Sequence, residues 1–283
     1  MASSAHSTPS VKYRYGEMTW PEIREAAAAG RVAILPVATI EDHGYHLPVD
    51  TDVLLCTTVC ERGAALIPDE CVLVPPVIHG YSPHHMDFPG TLSIDGHTFI
   101  KYVLDITKSL AHHGFTRILI VNGHGSNTPF CEIIARLTVI ETAGNAIAMA
   151  VNHWGLNTVR EVVEQIRESA PGGMSHACEL ETSMYLAIKP ELVDMSKAVA
   201  EVNPYPTTSI PAWTDLVAGR PPTSSAVAWM PYWSTFSQSG VRGDATLATR
   251  EKGEQILAAA AEGLAALVRE LRQLEVGPRV DHH

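Results

Sequence analysis

Val32-Ala-Ile-Leu-Pro-Val37 is a run of six apolar residues with no polar alternation. A strand with one wet face alternates apolar and polar side chains. An unbroken apolar run of strand length therefore implies burial on both faces, the setting of a parallel sheet. Cys71-Val-Leu-Val74, Ile118-Leu-Ile-Val121 and Ala146-Ile-Ala-Met-Ala-Val151 read the same way. Helical stretches separate them. Thr19-Trp-Pro-Glu22 is a capping box with Pro inside the first turn, and it predicts a helix to Ala29 that closes at Gly30. Asp52 opens a helix reaching about Ala65, Asp95 precedes one that stops at Gly114, and Pro129 opens one that runs to Gly144. Further helices are expected from about Thr158 to Ser169, from near His176 after the Pro171-Gly-Gly173 break, and from Ala245 to about Leu274. Residues 200–243, rich in Pro, Ser and Trp, read as a long structured loop. Strands alternating with helices predict a three-layer α/β/α fold with a mostly parallel sheet. With no linker and no repeat, one domain spans residues 16–275, flanked by a disordered arm over 1–15 and a tail over 276–283.

The bulk numbers agree with one packed domain. The chain has 283 residues, 46% hydrophobic and 18% charged, material enough for a single core. A net charge of -11 without any basic run argues against a nucleic-acid partner, because phosphate binding needs clustered Lys and Arg. No apolar stretch approaches the ~20 residues that span a bilayer. The first ten residues lack the basic and apolar regions of a signal peptide. Five scattered cysteines fit buried thiols in a reducing compartment, and a cytoplasmic location is expected.

In parallel sheets, chemistry gathers in the loops beyond the carboxyl ends of the strands. After the first strand comes Thr39-Ile-Glu-Asp-His-Gly-Tyr-His-Leu-Pro-Val-Asp-Thr-Asp52, and after the third Asn122-Gly-His-Gly-Ser-Asn127. Taken singly, Asp50 and Asp52 read as helix caps and His43-Gly44 as a turn. Taken together, Glu41, His43, Asp52 and His124 would repel one another or be stranded without water unless a cation joined them. Mixed imidazole and carboxylate ligation suits Zn²⁺, Mn²⁺ and Fe²⁺.

Leu35-Pro-Val-Ala-Thr-Ile-Glu-Asp-His-Gly-Tyr-His-Leu-Pro48, with Asp50-Thr-Asp52 behind it, resembles the signature of the creatininase (creatinine amidohydrolase) family. Phe88-Pro-Gly-Thr-Leu92, Asn122-Gly-His-Gly-Ser-Asn127, His176-Ala-Cys-Glu-Leu-Glu-Thr-Ser183 and Gly240-Val-Arg-Gly-Asp244 resemble its later motifs in order, so the likeness covers about residues 19–270. The resemblance implies a creatininase-like fold and two divalent cations bridged by Asp52, with Glu41 and His124 on one and His43 on the other. Creatininase itself has a metal-binding Glu where this chain has Ser126, and the fifth ligand must then come from the helix after His176. Glu179 and Glu181 stand about 200° apart on a helix, so only one can face the site. The family motif points to Glu181, with Glu179 behind it.

Two such cations would ionise a shared water near neutral pH for attack on a carbonyl carbon. His176 is the candidate acid for the leaving group, and Gly172-Gly173 beside it suggests a mobile flap. His85, in the loop Ser82-Pro-His-His-Met-Asp-Phe-Pro89, reads either as a substrate contact or as a residue packed beneath Phe88. Trp154, Trp213, Trp229 and Trp233 are candidate pocket walls. A small-molecule substrate follows, cleaved at a C–N bond in a cyclic amide, formamide or peptide, or at a C–C bond in a cyclic diketone. Creatininase carries a Trp-Asp pair where Gly172 and Gly173 stand here, and creatinine is not the expected substrate. A homo-oligomer, a hexamer by the same resemblance, is the expected assembly. A serine hydrolase needs Gly two residues either side of Ser126, where this chain has His124 and Thr128. A dinucleotide enzyme needs G-x-G-x-x-G after the first strand, and none is there. A non-catalytic metal-binding scaffold is compatible with the same residues.

Overall fold

The structure is a computed structural model that describes residues 11–202, 215–217, 230–275, 277 and 279–283. Four strands, β1 (Val32–Val37), β2 (Cys71–Leu73), β3 (Arg117–Asn122) and β4 (Ile147–Asn152), form one wholly parallel sheet in the order β2-β1-β3-β4. All six residues of β1 are buried, as an unbroken apolar run requires. Val32 and Ile34 pack on one face with Leu119 and Val121, while Ala33, Leu35 and Val37 pack on the other with Ile118 and Ile120. Each buried Val, Leu or Ile contributes about 1.5–3 kcal/mol relative to exposure, so the central strands anchor both layers at once. Pro36 sits in a central strand without disrupting it. The regular pairing with β2 stops at Ile34–Leu73, and the Pro36 carbonyl still accepts from Val77 N–H.

Helices α1 (Trp20–Ala28), α3 (Gly96–His112) and α4 (Thr128–Glu141) cover one face. Helices α2 (Thr51–Leu66), α5 (Asn157–Ile166), α6 (Glu179–Ile188) and α7 (Arg250–Gln273) cover the other. The expected three-layer α/β/α fold is therefore the observed one. The Thr19–Glu22 capping box forms, and Asp95 accepts from the backbone N–H groups of His97 and Thr98.

Several boundaries differ from the sequence reading. Asp50 rather than Asp52 precedes α2, which puts Asp52 inside the first helical turn. The last helix begins at Arg250, because Ala245–Leu247 is a separate 3-10 turn. The arm expected to run through residue 15 is docked from Tyr13 onward: Leu73 N–H donates to the Tyr13 carbonyl, and Arg14 ion-pairs with Glu61. Residues 1–10 lie outside the described residues. His176 does not start a helix. It ends a strand, β5 (Met174–His176), which pairs antiparallel with β7 (Arg242–Asp244), itself paired with β6 (Ala200–Glu201). These strands are two or three residues long and pair across some 40 to 70 residues of chain, so periodicity cannot announce them.

The sheet order positions the site. From β1 the chain crosses to β2 on one side, and β3 lies on the other. The connections diverge beyond the carboxyl ends of β1 and β3, and that divergence opens a crevice. Below it, α7 packs so closely on α6 that a Cβ on Gly253 would collide with the Ser183 carbonyl. Gly253→Ala is expected to lower stability by about 1–3 kcal/mol, read as a fall in the urea midpoint; an unchanged midpoint would mean the two helices do not meet there.

Candidate metal centre

The loop after β1 turns back over the crevice and delivers Glu41 and His43, α2 delivers Asp52, the loop after β3 delivers His124, and the first turn of α6 delivers Glu181. All five are buried. Asp52 stands between the two imidazoles. Its Oδ1 lies 3.3 Å from His43 Nε2, and its Oδ2 lies 3.1 Å from His124 Nδ1. Glu41 Oε1 is 3.2 Å from His124 Nδ1, and Glu181 Oε1 is 4.0 Å from His43 Nε2. The five therefore form two triads, Glu41–Asp52–His124 and His43–Asp52–Glu181, that share Asp52, each with its ligand atoms within 4.8 Å of one another.

The residues around these groups fix their orientation. His43 Nδ1 faces the Glu41 carbonyl at 3.3 Å, and His124 Nε2 faces the Tyr81 carbonyl at 3.2 Å. A carbonyl only accepts, so each of these nitrogens carries a proton, and the other nitrogen of each ring, turned to the cluster, is the one a cation would bind once it is deprotonated. Ser82 Oγ donates to Glu41 Oε2 at 2.5 Å and leaves Oε1 for the centre. His43 Nε2 and Asp52 Oδ2 are buried and make no well-directed hydrogen bond, although neighbours stand 3.1 to 3.3 Å away. Buried polar atoms without a directed partner are what ligands of a cation become when no cation is counted among their neighbours. The donor set fits divalent transition metals.

Electrostatics point the same way. Burial alone would depress the histidines, but the carboxylates of Asp52, Glu181 and Glu41 push His43 up to about 10, and Glu41 and Asp52 push His124 up to about 10. Burial, reinforced by Asp52 and Glu41 against the pull of His43, raises Glu181 to about 7. The protein alone thus gathers protons where cations would otherwise supply positive charge.

Glu179 is turned away. Its carboxylate ion-pairs with Lys252 Nζ at 2.6 Å and accepts from the backbone N–H groups of Glu168 and Ser169. His176 borders the cluster: its Nε2 donates to the Asp42 carbonyl at 2.9 Å, and its Nδ1 lies 3.6 Å from Glu41 Oε1. Ala177, next to it, has a left-handed φ of 49°, the bend that carries the chain from β5 into α6. His85 lies in the wall of the cavity. It stacks on Trp233, with ring centroids 4.7 Å apart, and its Nδ1 contacts Asp42 Oδ2 at 2.5 Å. The glycine pair is fastened rather than hinged: Gly172 N–H donates to Asp215, Gly173 carbonyl accepts from Asp244 N–H, and a Cβ on Gly173 would collide with Ser169.

A cavity of about 710 Å³, its open mouth included, rises from the cluster. Trp154, Trp233, Met230 and Leu216 line it, with Ser126, His84 and Arg242 as polar wall groups. Trp213 and Trp229 lie outside the described residues. Asp42, Ser82, His84 and Arg242 went unassigned in the sequence reading. Asp42 and Arg242 lie inside the family-like motifs and Ser82 and His84 in the Ser82–Pro89 loop, but no local pattern gives any of them a role.

A family model described as creatinine amidohydrolase matches residues 16–268, nearly the whole chain and all of these side chains. The chain belongs to the creatininase family. It is a metal-dependent hydrolase of that family, and no non-catalytic scaffold is needed to explain the cluster. Among curated members, a creatinine amidohydrolase of Pseudomonas putida is 33% identical, covering 90% of this chain and 95% of its own length. A 3-dehydro-scyllo-inosose hydrolase of Thermotoga maritima is 28% identical, covering 90% and 82%. A mycofactocin precursor peptide peptidase of Mycolicibacterium smegmatis is 29% identical, covering 84% of each. Among solved structures, a mutant creatininase of Zn-Zn type superposes with a TM-score of 0.75 at 31% identity, covering 92% of this chain and 98% of that one. A manganese creatininase gives 0.74 at 32%, over the same shares. Among the described residues, no helix is long and apolar enough to cross a membrane.

Metal ligands must be deprotonated, so cations held by these residues of the creatininase-family chain would displace the protons on His43 and His124. With both imidazoles protonated below about 10, uptake of Zn²⁺ or Mn²⁺ at pH 7.5 is expected to release about two protons per chain, and apparent affinity should rise with pH. Calorimetric titration in buffers of different ionisation enthalpy measures the number; release of none would contradict the ligand assignment.

Proposed function

We propose that the chain is a binuclear hydrolase that attacks the carbonyl of a small, cyclic substrate and cleaves its C–N bond. The observation that carries this reading is the sharing of Asp52 between two triads, which would let one carboxylate serve both ions. Glu41, Asp52 and His124 would hold one ion; His43, Asp52 and Glu181 would hold the other. Zn²⁺, Mn²⁺ and Fe²⁺ all accept these ligands. When bound, a pair of such ions lowers the pKa of a shared water and polarises a carbonyl.

The protein's own residues handle position and protons. His176 is neutral, because burial drives its pKa well below 6.5. With Nε2–H committed to the Asp42 carbonyl, its Nδ1 is an acceptor. It takes the proton released by the attacking water and returns it to the departing nitrogen, so the carbonyl carbon gains OH and the nitrogen gains H. His176 is thus a base before it is an acid. His85, held by Asp42 and stacked on Trp233, forms a wall that the substrate ring rests against.

Creatinine does not suit this pocket. Ser126 Oγ contacts His84 Nε2 at 3.0 Å in place of a carboxylate, and Gly172 and Gly173 bring neither an indole nor an acid. Opening of a cyclic diketone by C–C cleavage is the second reading, favoured by the relative that acts on 3-dehydro-scyllo-inosose rather than on an amide. A cytoplasmic homo-oligomer, a hexamer as the family resemblance implies, is the proposed form in the cell.

Metal analysis and single turnover separate the roles. The native protein should hold about two transition-metal ions and Asp52→Asn fewer than one. His176→Gln should keep both ions while kcat falls by about 10²–10⁴. Creatinine should not be turned over. Full metal retention in Asp52→Asn, or an unaffected His176→Gln, would overturn the corresponding assignment.

A further inference from the structure

One hydrogen-bonded pair in the cavity wall takes no part in the proton transfers above: Ser126 with His84. Ser126 belongs to the 3-10 turn Gly125–Asn127 that follows His124. The turn is pinned at Asn127, whose Oδ1 accepts from Tyr81 N–H and whose Nδ2 donates to the Ala38 carbonyl. His84 comes from a second 3-10 turn, Pro83–His85. It is 5% exposed and stacks on the His124 ring, with centroids 5.9 Å apart. Both partners are therefore fixed to the same side of the centre.

The direction of the pair follows from its neighbours. Ser126 Oγ lies 3.0 Å from His84 Nε2 and 3.5 Å from Met230 Sδ, to which its hydroxyl donates. A hydroxyl has one proton, so His84 Nε2–H is the donor to Ser126. His84 Nδ1, buried without a partner, is then a lone pair rather than a stranded N–H. A thioether is a weak acceptor, and Met230 is an exposed, unbranched side chain that shifts readily. A substrate oxygen reaching Ser126 therefore displaces little. It meets a neutral donor chain, Nε2–H to Oγ–H, whose two hydrogen bonds strengthen each other. His85 lies between this chain and His176: its ring centroid is 4.4 Å from that of His84 and 4.5 Å from that of His176.

We propose that Ser126, backed by His84, is a specificity residue that donates to a second carbonyl oxygen of the substrate ring, carried next to the atom that departs. This rests on the binuclear reading above and holds for either bond. The substrate class is a cyclic 1,3-dicarbonyl, an imide where the departing atom is nitrogen and a 1,3-diketone where it is carbon. Water adds to the first carbonyl, whose carbon keeps OH. The ring bond breaks, its electron pair passes to the second carbonyl oxygen, and the departing atom then gains the proton from His176. Charge grows on that oxygen as the bond breaks, so the hydrogen bond from Ser126 strengthens toward the transition state. A ring hydroxyl gains no such charge and would draw ground-state binding alone.

Matched rings test this on the full-length, zinc-loaded protein: glutarimide against 2-piperidone, and 1,3-cyclohexanedione against cyclohexanone. At least one dicarbonyl ring should be hydrolysed, the imide to an amide acid or the dione to a keto acid. Ser126→Ala should lower kcat on that ring by about 10- to 100-fold, the worth of a hydrogen bond to a charged acceptor, with far less change in KM. Ser126→Thr, which keeps the hydroxyl, should restore part of the loss. Calorimetry in the His176→Gln background, where hydrolysis is slow, should show the dicarbonyl ring binding about two- to tenfold more tightly than its partner. Adding Ser126→Ala should shrink that difference. Hydrolysis of neither dicarbonyl ring, an unchanged kcat in Ser126→Ala, or a loss confined to KM would overturn the proposal. Metal content is measured first in every variant. Fewer than two ions in the native protein would remove the binuclear reading and this proposal with it, whereas two ions with any of those outcomes removes the proposal alone.

Discussion

Three carboxylates, from Glu41, Asp52 and Glu181, are packed out of water within reach of the same two imidazoles. Like charges at this separation in a low-dielectric interior cost several kcal/mol unless positive charge is placed among them. Without cations the protein meets the constraint by protonating His43 and His124 and by raising Glu181 to about 7, and the rings are turned so that the nitrogens facing the cluster are the ones that cations would free. Much of the surrounding structure serves this arrangement. Ser82 spends its hydroxyl on one oxygen of Glu41, the backbone of Glu41 holds His43, and the first turn of α2 aims both oxygens of Asp52 at different partners.

The fold makes such crowding attainable. Because β2 and β3 flank β1, the loops beyond β1 and β3 meet at a crevice with helices behind both. Glu41, His43 and His124 come from these two loops, and Asp52 from the helix that the first loop feeds. Glu181 arrives by a different route. It requires the small antiparallel sheet, the left-handed turn at Ala177 and the close seating of α6 on α7 at Gly253. Lys252 ties Glu179 and the backbone of residues 168 and 169 to α7, which keeps the other acid of that turn out of the centre.

What could be read from the chain before folding follows from the range of the forces involved. The central strands and the helices α1 and α3 carry local signatures, apolar runs and caps, and those elements were legible. Glu41, His43, Asp52 and His124 were legible as a group because buried acids and imidazoles at strand ends demand an explanation. Choosing Glu181 over Glu179 needed both helix geometry and a family likeness. His176 was singled out, but its setting was misread as a helix start, since β5 and β7 are short and far apart in the chain. Gly172 and Gly173 suggested a hinge, yet their small size serves close approach to Ser169 and a hydrogen bond to Asp215, which no local pattern discloses. Arg242 and Ser126 define the pocket wall only once the cavity exists.

Anomalous diffraction from crystals grown with Mn²⁺ or Zn²⁺ tests the central claim most directly. The account predicts two peaks about 3.5–4 Å apart, one beside His124 and one beside His43, with Asp52 between them. A single peak, or an Asp52 side chain turned away from both histidines, would contradict it.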